Sequence, residues 1–150
     1  MSGYQRVLIA VDLQGNPEQV LDKVSGLTDV DAASLHLVHA PLDPTYAYSA
    51  YIASSAYIGE SWNFDRKQAI VDAQEAATSY LKNAGLSNVE VHIDIGKAID
   101  IILDTAEEIN ADLIIIGSHG RHGIGLLLGS TANAVLHRAK CDVMAVRIQE

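Results

Sequence analysis

Cysteine, basic residues and long apolar runs are all scarce in this chain, and each scarcity excludes a class of protein. The 150 residues include one cysteine, Cys141, so no intrachain disulfide can form and a reducing compartment suits the chain. Ten Lys and Arg stand against 19 Asp and Glu, a formal net charge of −9, so we expect no nucleic-acid partner and no membrane partner. The apolar run at 7–11 is too short for a signal peptide or a membrane span, and we expect a cytoplasmic protein.

The apolar pattern of the chain alternates between strands and helices. Runs rich in β-branched residues, and one alternating stretch typical of a sheet edge, predict strands at 6–11, 34–40, 89–95, 113–116 and 143–148. Helical spacing predicts a helix that starts at Asn16-Pro17 and others at 65–84, 99–109 and 131–140. This order predicts an α/β fold, a doubly wound parallel sheet with helices on both faces. We expect one domain over 1–150, with a tyrosine-bearing insertion at 41–61.

Three of the predicted strands end at residues that suit contact with a ligand. Asp12 follows the first strand, Ala40 ends the second, and Gly117 follows the fourth. In open parallel sheets, ligands bind beyond the carboxyl ends of the strands, where the strand order reverses. The sequence therefore predicts that these distant segments converge on one crevice. For Asp12, a turn residue that accepts local N–H bonds is an equally good interpretation.

Glycines and a helix start follow the most apolar strand. Gly117-Ser118-His119-Gly120 leads into a loop, and Gly129-Ser130-Thr131 opens the next helix. Glycine lets backbone N–H groups approach an anion, and a helix start presents unpaired N–H donors with partial positive charge. This combination indicates a phosphate site, at which Arg121 could neutralise charge. The alternative interpretations are plain turn glycines, a solvated Arg121, and an N-cap at Ser130 worth about 1 kcal/mol.

These residues resemble the universal stress protein family. The matching segments lie in the family's order along nearly the whole chain, at 7–12 (VLIAVD), 37–40 (LVHA), 111–120 (ADLIIIGSHG) and 126–132 (LLLGSTA). The resemblance implies one universal stress protein domain with the adenine nucleotide α-hydrolase-like, Rossmann-like fold and the strand order 3-2-1-4-5. It also implies a homodimer through the last strand, residues 143–148, whose apolar edge would otherwise stay unpaired.

One branch of that family binds ATP through G-x-x-G, nine residues, then G followed by Ser or Thr. In this chain Gly117 and Gly120 match the first part, and Gly129 with Ser130 matches the second, but the spacer after Gly120 holds eight residues. Family members that do not bind ATP can have a similarly short spacer, usually with the glycines lost. Because this chain keeps the glycines, the resemblance favours ATP as the ligand, with or without Mg²⁺.

The resemblance also implies a role for each matching residue. Asp12 would contact the ribose hydroxyls or a phosphate-bound Mg²⁺, while Ala40 would offer backbone groups to the adenine edge. Ala10 and Val11 would line the pocket, and the family's usual Gly-Ser after the aspartate is replaced by Leu13-Gln14. Contacts along the ribose and phosphates would come from Gly117, His119, Gly120, Gly129, Ser130 and Thr131.

Signals for a metal site or for catalysis are weak. His119 and His122 have no Cys or carboxylate beside them, so we expect no metal site from the protein alone; the strand histidines His36, His39 and His92 are expected to be packed or on the surface. There is no G-x-x-x-x-G-K-[ST] motif, and we find no lysine or base dedicated to phosphoryl transfer. The sequence favours a small ATP-binding switch or binding module in a stress response, with slow hydrolysis at most. The alternative is a nucleotide-free dimeric interaction protein of the same fold.

Overall fold

A computed structural model describes residues 3–13, 15–27, 33–42, 66–118 and 128–149, which form a parallel β-sheet between helices. The strands are β1 (Arg6–Ala10), β2 (Ser34–His39), β3 (Val89–Ile93), β4 (Leu113–Gly117) and β5 (Asp142–Val146). The helices are α1 (Pro17–Ser25), α2 (Arg66–Asn83), α3 (Ala98–Glu108) and α4 (Ser130–Arg138). The α/β fold class is confirmed. The expected insertion at 41–61 lies, from residue 43 onward, outside the described residues.

The sheet has the order β3-β2-β1-β4-β5, and every neighbouring pair of strands is parallel. Ala10 at the end of β1 is level with Val38 of β2 and with Ile116 of β4. The chain runs from β1 outward to β3 and then crosses to β4 on the other side of β1. The strand order therefore reverses between β1 and β4, where sheets of this kind bind their ligands. The expected order 3-2-1-4-5 is confirmed.

Two apolar layers cover the sheet, one on each face, because successive strand residues point to opposite faces. On one face, strand residues pack against α1 and α2, with fully buried members that include Ile9, Ile115, Leu21 and Ala77. On the other face, strand residues pack against α3 and α4, with buried members that include Leu8, Ile114, Ile102 and Val135. Among the described residues, none of the helices combines the length and apolar character that a membrane crossing requires.

The start of α1 is close to the sequence expectation. Asn16 occupies the N-cap position and Pro17 the first helical position, but the Asn16 side chain makes no capping hydrogen bond. The fixed φ of proline at the first turn therefore favours the helix start without help from that side chain.

The start of α4 differs from the expectation by one residue. The helix begins at Ser130, with Gly129 at the N-cap position and no side-chain capping bond. The alternative interpretation of Ser130 as a plain N-cap is therefore wrong, because the residue already lies inside the helix.

Overall, the carboxyl ends of β1, β2 and β4 share one edge of the sheet, and α4 starts from that edge. The candidate site is built there.

Candidate functional site

The segment that follows β1 lies on one side of the crevice predicted at the strand reversal. Ala10 is buried, while Val11 and Asp12 are half-buried. The Val11 N–H donates to Val38 O at 3.2 Å, which extends the pairing with β2, and the Gly15 N–H donates to Asp12 O at 3.0 Å. Asp12 therefore lies at a tight turn directly beyond the strand, which is where the sequence predicts it.

His39, the last residue of β2, holds this turn from the neighbouring strand. Its side chain is buried, and its Nδ1 lies 3.0 Å from Val11 O and 3.4 Å from Leu13 N. The tautomer decides whether Nδ1 donates to the carbonyl or accepts from the N–H. Ala40 follows at the same edge of the sheet and is half-buried. His39 is thus a packed residue, as expected, and one that positions the backbone around Asp12.

Ser118, the residue after β4, is hydrogen-bonded to β5 and to the residue that precedes α4. Its N–H donates to Val146 O at 2.7 Å, and its Oγ accepts from the Ile148 N–H at 2.9 Å. Its carbonyl oxygen accepts from the Gly129 N–H at 2.5 Å. These bonds hold Gly129, the residue before α4, at the end of β4. The start of α4 therefore lies at the point where the strand order reverses between β1 and β4.

The first turn of α4 supplies hydrogen-bond donors. Its N–H groups, among them those of Ser130 and Thr131, have no intrahelical acceptor and carry the partial positive charge of the helix start. Ser130 is exposed and Thr131 is half-buried. The first helical bond runs from the Asn133 N–H to Gly129 O at 2.8 Å, whereas the Gly129 N–H is already bonded to Ser118. Donors for an anion therefore come from Ser130 and Thr131 rather than from Gly129.

Neither of the two described glycines of the motif is required for its backbone conformation. A Cβ on Gly117 would lie 3.2 Å from two carbons of Ile148 and 3.4 Å from a carbon of Val20, so packing accounts for this glycine. Gly129 has φ −61° and ψ 155°, an extended conformation that any residue adopts. Packing therefore explains Gly117 without a ligand, and backbone conformation does not explain Gly129.

The structure places most of the predicted contact residues at one end of the sheet. The described ones lie at the ends of β1, β2 and β4 and at the start of α4; they are Ala10, Val11, Asp12, Ala40, Gly117, Gly129, Ser130 and Thr131. His119, Gly120 and Arg121 lie outside the described residues. Described positions 11–13, 40–42, 117–118 and 128–131 hold no Lys or Arg. At these described positions, the partial positive charge of the α4 helix start is the feature that favours an anion.

Between β2 and β3, the structure brings together three residues that the sequence analysis did not connect. His36 is level with Glu90, and His92 lies two residues further along β3 on the same face. The Nδ1 of His36 is 3.0 Å from the Nε2 of His92 and 3.4 Å from a carboxylate oxygen of Glu90. The Glu-x-His spacing at 90–92 was the available signal, but the register that sets His36 opposite Glu90 cannot be read from it.

The environment of this cluster favours a neutral His36. Burial, and after it the charge of His92, lower the pKa of His36 below its ordinary value, with Arg6 acting in the same direction and Glu90 against it. The His36 side chain is 11% exposed, whereas that of Glu90 is 68% exposed.

The whole chain matches known proteins of one family. The sequence model of the universal stress protein family matches residues 3–147. Universal stress protein A homolog 2 of Coxiella burnetii is 37% identical over 150 residues, which cover 99% of this chain and 99% of that protein. The chain belongs to the universal stress protein family.

Solved universal stress proteins share the fold of this one. UspA from Lactobacillus plantarum is 19% identical and aligns with a TM-score of 0.72 over 98% of this chain and 100% of that chain. A universal stress protein crystallised in complex with cAMP is 26% identical and aligns with a TM-score of 0.62 over 97% of this chain and 98% of that chain. The arrangement of strands and helices described above is therefore that of the family.

Proposed function

We propose that this universal stress protein binds ATP, alone or with Mg²⁺, at the crevice between the ends of β1 and β4. In the cytoplasm it acts as a nucleotide-dependent switch or binding module in a stress response. The observation that carries the proposal is the meeting of two features at the point of strand reversal: Asp12 beyond β1, and the first turn of α4 tied to the end of β4.

The triphosphate binds at the first turn of α4. Ser130 and Thr131 supply N–H donors and hydroxyl groups, and the helix dipole favours negative charge at this end. The bond from the Gly129 N–H to Ser118 O fixes the helix start to β4, so the donors are in place before the ligand arrives. Donors that are already ordered lose less conformational entropy on binding.

The adenosine part binds against β1 and β2. Ala10 and Val11 line this part of the crevice, Ala40 offers backbone groups to the adenine edge, and Asp12 contacts the ribose hydroxyls or a phosphate-bound Mg²⁺. The relative crystallised with cAMP supports an adenosine-containing ligand, since cAMP and ATP share their adenosine. Further contacts along the ribose and phosphates come from Gly117, His119, Gly120 and Arg121.

Binding rather than turnover is the proposed activity. Transfer of a phosphoryl group needs a positioned base or water and neutralisation of the charge on the γ-phosphate. The sequence offers no lysine dedicated to this purpose and no convincing base, and Arg121 would supply charge but no base. Hydrolysis is therefore slow at most, and ATP acts by shifting the population of conformers that a partner recognises.

Titration calorimetry with ATP and Mg²⁺ tests the proposal on the wild-type protein and on Asp12→Asn. We expect saturable binding to the wild type, and a loss of about tenfold in affinity, or about 1.4 kcal/mol, in the variant. Asp22→Asn is the matched control, because Asp22 is exposed on α1 and the substitution makes the same change in charge.

The titration also separates the two roles proposed for Asp12. A loss of affinity that needs Mg²⁺ assigns Asp12 to the metal, and an equal loss in the presence of chelator assigns it to the ribose. No binding at millimolar ATP, or equal losses in Asp12→Asn and Asp22→Asn, contradicts the proposal.

A nucleotide-free interaction protein of the same fold is the second candidate function. The observation that favours it is the packing of Ile148 and Val20 around Gly117, which accounts for this glycine without a ligand. Native mass spectrometry of freshly purified protein distinguishes the two functions. A spectrum without nucleotide, together with no thermal shift on addition of ATP, supports the second.

We also propose a homodimer formed through residues 143–148. β5 is an edge strand in the described sheet, its residues Val143 and Met144 are half-buried, and Ala145 is exposed. Edge strands leave a row of backbone groups unpaired, which pairing with a second copy would satisfy. With a net charge of −9, neither nucleic acid nor membrane is proposed as a partner.

A further inference from the structure

We propose that His36, Glu90 and His92 form a binding site for a divalent transition-metal ion of the Zn²⁺ type, which links β2 to β3. The site is separate from the proposed nucleotide crevice, since it lies within the paired strands rather than beyond the ends of β1 and β4. Among the described residues, these three form the cluster of His and carboxylate side chains whose potential ligand atoms all lie within 4.8 Å of one another.

The backbone of two paired strands positions the three side chains. His36 is level with Glu90, and Val38 is level with His92, so all three side chains share one face of the sheet. This is the face on which Val38 packs with Ile102 of α3. The cluster is therefore held by the hydrogen-bonded ladder of β2 and β3, and an ion does not have to order a loop to bind.

The distances between the candidate ligand atoms suit a tetrahedral ion. Bond lengths of about 2.0–2.1 Å to nitrogen or oxygen place neighbouring ligands of a tetrahedral Zn²⁺ about 3.3 Å apart. The Nδ1 of His36 lies 3.0 Å from the Nε2 of His92 and 3.4 Å from a carboxylate oxygen of Glu90. The ligand atoms of Glu90 and His92 lie within 4.8 Å of each other, and because Glu90 is exposed and His92 half-buried, both side chains can move closer together around an ion.

The hydrogen bonds that these three side chains can make also favour a cation at this cluster. One nitrogen, the Nδ1 of His36, faces both a second imidazole nitrogen and a carboxylate oxygen. If Nδ1 carries the proton, it can make one good hydrogen bond and leaves the other partner poorly satisfied. If it accepts a hydrogen bond from the Nε2–H of His92, its lone-pair side also faces the negatively charged carboxylate of Glu90. A metal ion is attracted by all three atoms at once.

The donor set points to the class of ion. Two imidazoles and one carboxylate suit Zn²⁺ and related transition metals rather than Mg²⁺ or Ca²⁺, which prefer oxygen ligands. Three protein ligands leave a fourth position open for water. His92 also lines a groove of about 380 Å³ together with the acidic residues Asp94, Asp104 and Glu108. The groove provides room for that water, and its carboxylates favour a cation nearby.

Metal titration of chelator-treated, full-length protein tests the proposal, with Zn²⁺ followed by calorimetry and Co²⁺ followed by its visible absorption. We expect one equivalent of Zn²⁺ to bind and Co²⁺ to give the bands of a four-coordinate site. Glu90→Gln and His92→Asn should each weaken Zn²⁺ binding by more than about tenfold, since even the loss of an outer partner costs that much. His137→Asn and Glu75→Gln are the matched controls, because both residues are exposed on helices and not on the two strands that carry the site.

Three results would overturn the site. In the first, the wild-type protein at micromolar concentration binds no stoichiometric Zn²⁺. In the second, Glu90→Gln and His92→Asn both bind Zn²⁺ with unchanged affinity. In the third, His119→Gln loses Zn²⁺ binding while His92→Asn keeps it in full. The last result would assign the ion to His119 and His122. If His92→Asn fails to fold in chelator, Glu90→Gln decides, because the Glu90 side chain is 68% exposed. ATP titration of Glu90→Gln keeps the two proposals apart, since nucleotide binding should not change in it.

Discussion

Gly117 has apolar carbon atoms on the side where a side chain would lie, and this gives a prediction about stability. We expect Gly117→Ala to lower the free energy of unfolding by about 1 kcal/mol, because the added Cβ forces Ile148 to shift in a layer where Val20 is already in contact. Gly26→Ala is the control, since a Cβ there meets atoms only at 3.7 Å and beyond and φ is −91°. Urea denaturation measures both, and equal stability of the two variants would contradict the packing role of Gly117.

Cys141 gives a prediction about pH at the scale of one residue. Burial, followed by the charges of Asp142 and Asp112, raises the pKa of the Cys141 thiol above its usual range. Because the thiolate is the reactive form, alkylation of the folded protein at pH 8 should be several-fold slower than alkylation of the chain unfolded in urea. The rate for the folded protein should also reach half its maximum at a higher pH. Equal rates and equal pH profiles in the two states would refute the expectation.

The sequence predicted some of the site residues and missed others for physical reasons. Asp12, Ala40 and Gly117 could be placed at strand ends, because apolar runs mark where strands stop. The cluster of His36, Glu90 and His92 could not be found, because it depends on which residues of β2 and β3 are level with each other. Register depends on how the buried faces of both strands match and on the connection between them, so it cannot be read from either strand alone.

The start of α4 is the element on which the phosphate site depends, and a carboxylate placed there separates stability from binding. We expect Ser130→Glu to stabilise the protein by about 0.3–1 kcal/mol, because a negative charge at a helix start interacts well with the dipole. The same charge occupies the donors and repels phosphate, so ATP affinity should fall by about tenfold or more. Thermal denaturation and calorimetry give the two quantities.

Ser79→Glu provides the matched control for that variant. Ser79 is exposed near the C-terminal end of α2, on a different helix from the proposed phosphate site, so the same substitution there should leave ATP affinity unchanged. If Ser130→Glu binds ATP as the wild type does, the first turn of α4 is not the phosphate site.

Helices and strands were predictable within a few residues, but the faces of short helices were less so. The apolar residues of α4 include Ala132, Val135 and Leu136, yet the first two are buried while Leu136 is 52% exposed. Adjacent helical residues differ by about 100° around the axis, so the rotation of a helix against its layer decides whether one or both are buried. In α1, which has the same length as α4, the adjacent Val20 and Leu21 are both buried. Which of the two is buried depends on how α4 packs, which its own sequence does not determine.

For the whole molecule, alternation of strands and helices predicted the class of fold but not the order of strands. Right-handed crossovers allow several orders, and 3-2-1-4-5 came from the family resemblance of dispersed segments rather than from periodicity. That order matters most for function, because it places the ends of β1 and β4 side by side.

The same order leaves β5 at an edge and gives a prediction about assembly. Val146 O accepts from the Ser118 N–H on the β4 side, and backbone groups alternate sides along a strand, so the Ala145 N–H faces away from β4. We expect Ala145→Pro to convert a dimer to a monomer by removing that donor, whereas Ala145→Val should remain dimeric. Light scattering after size-exclusion chromatography measures the masses. A monomeric wild type, or a dimeric Ala145→Pro, would rule out pairing through β5.

The most direct measurement of the central claim is an NMR titration of isotope-labelled protein with ATP and Mg²⁺, followed amide by amide. The account predicts saturable shifts at Asp12, Ala40, Ser130 and Thr131 with one affinity. Inorganic triphosphate should move mainly the resonances of Ser130 and Thr131. If ATP leaves these four amides unshifted at millimolar concentration, or shifts only residues at another surface, the crevice between β1 and β4 is not a nucleotide site.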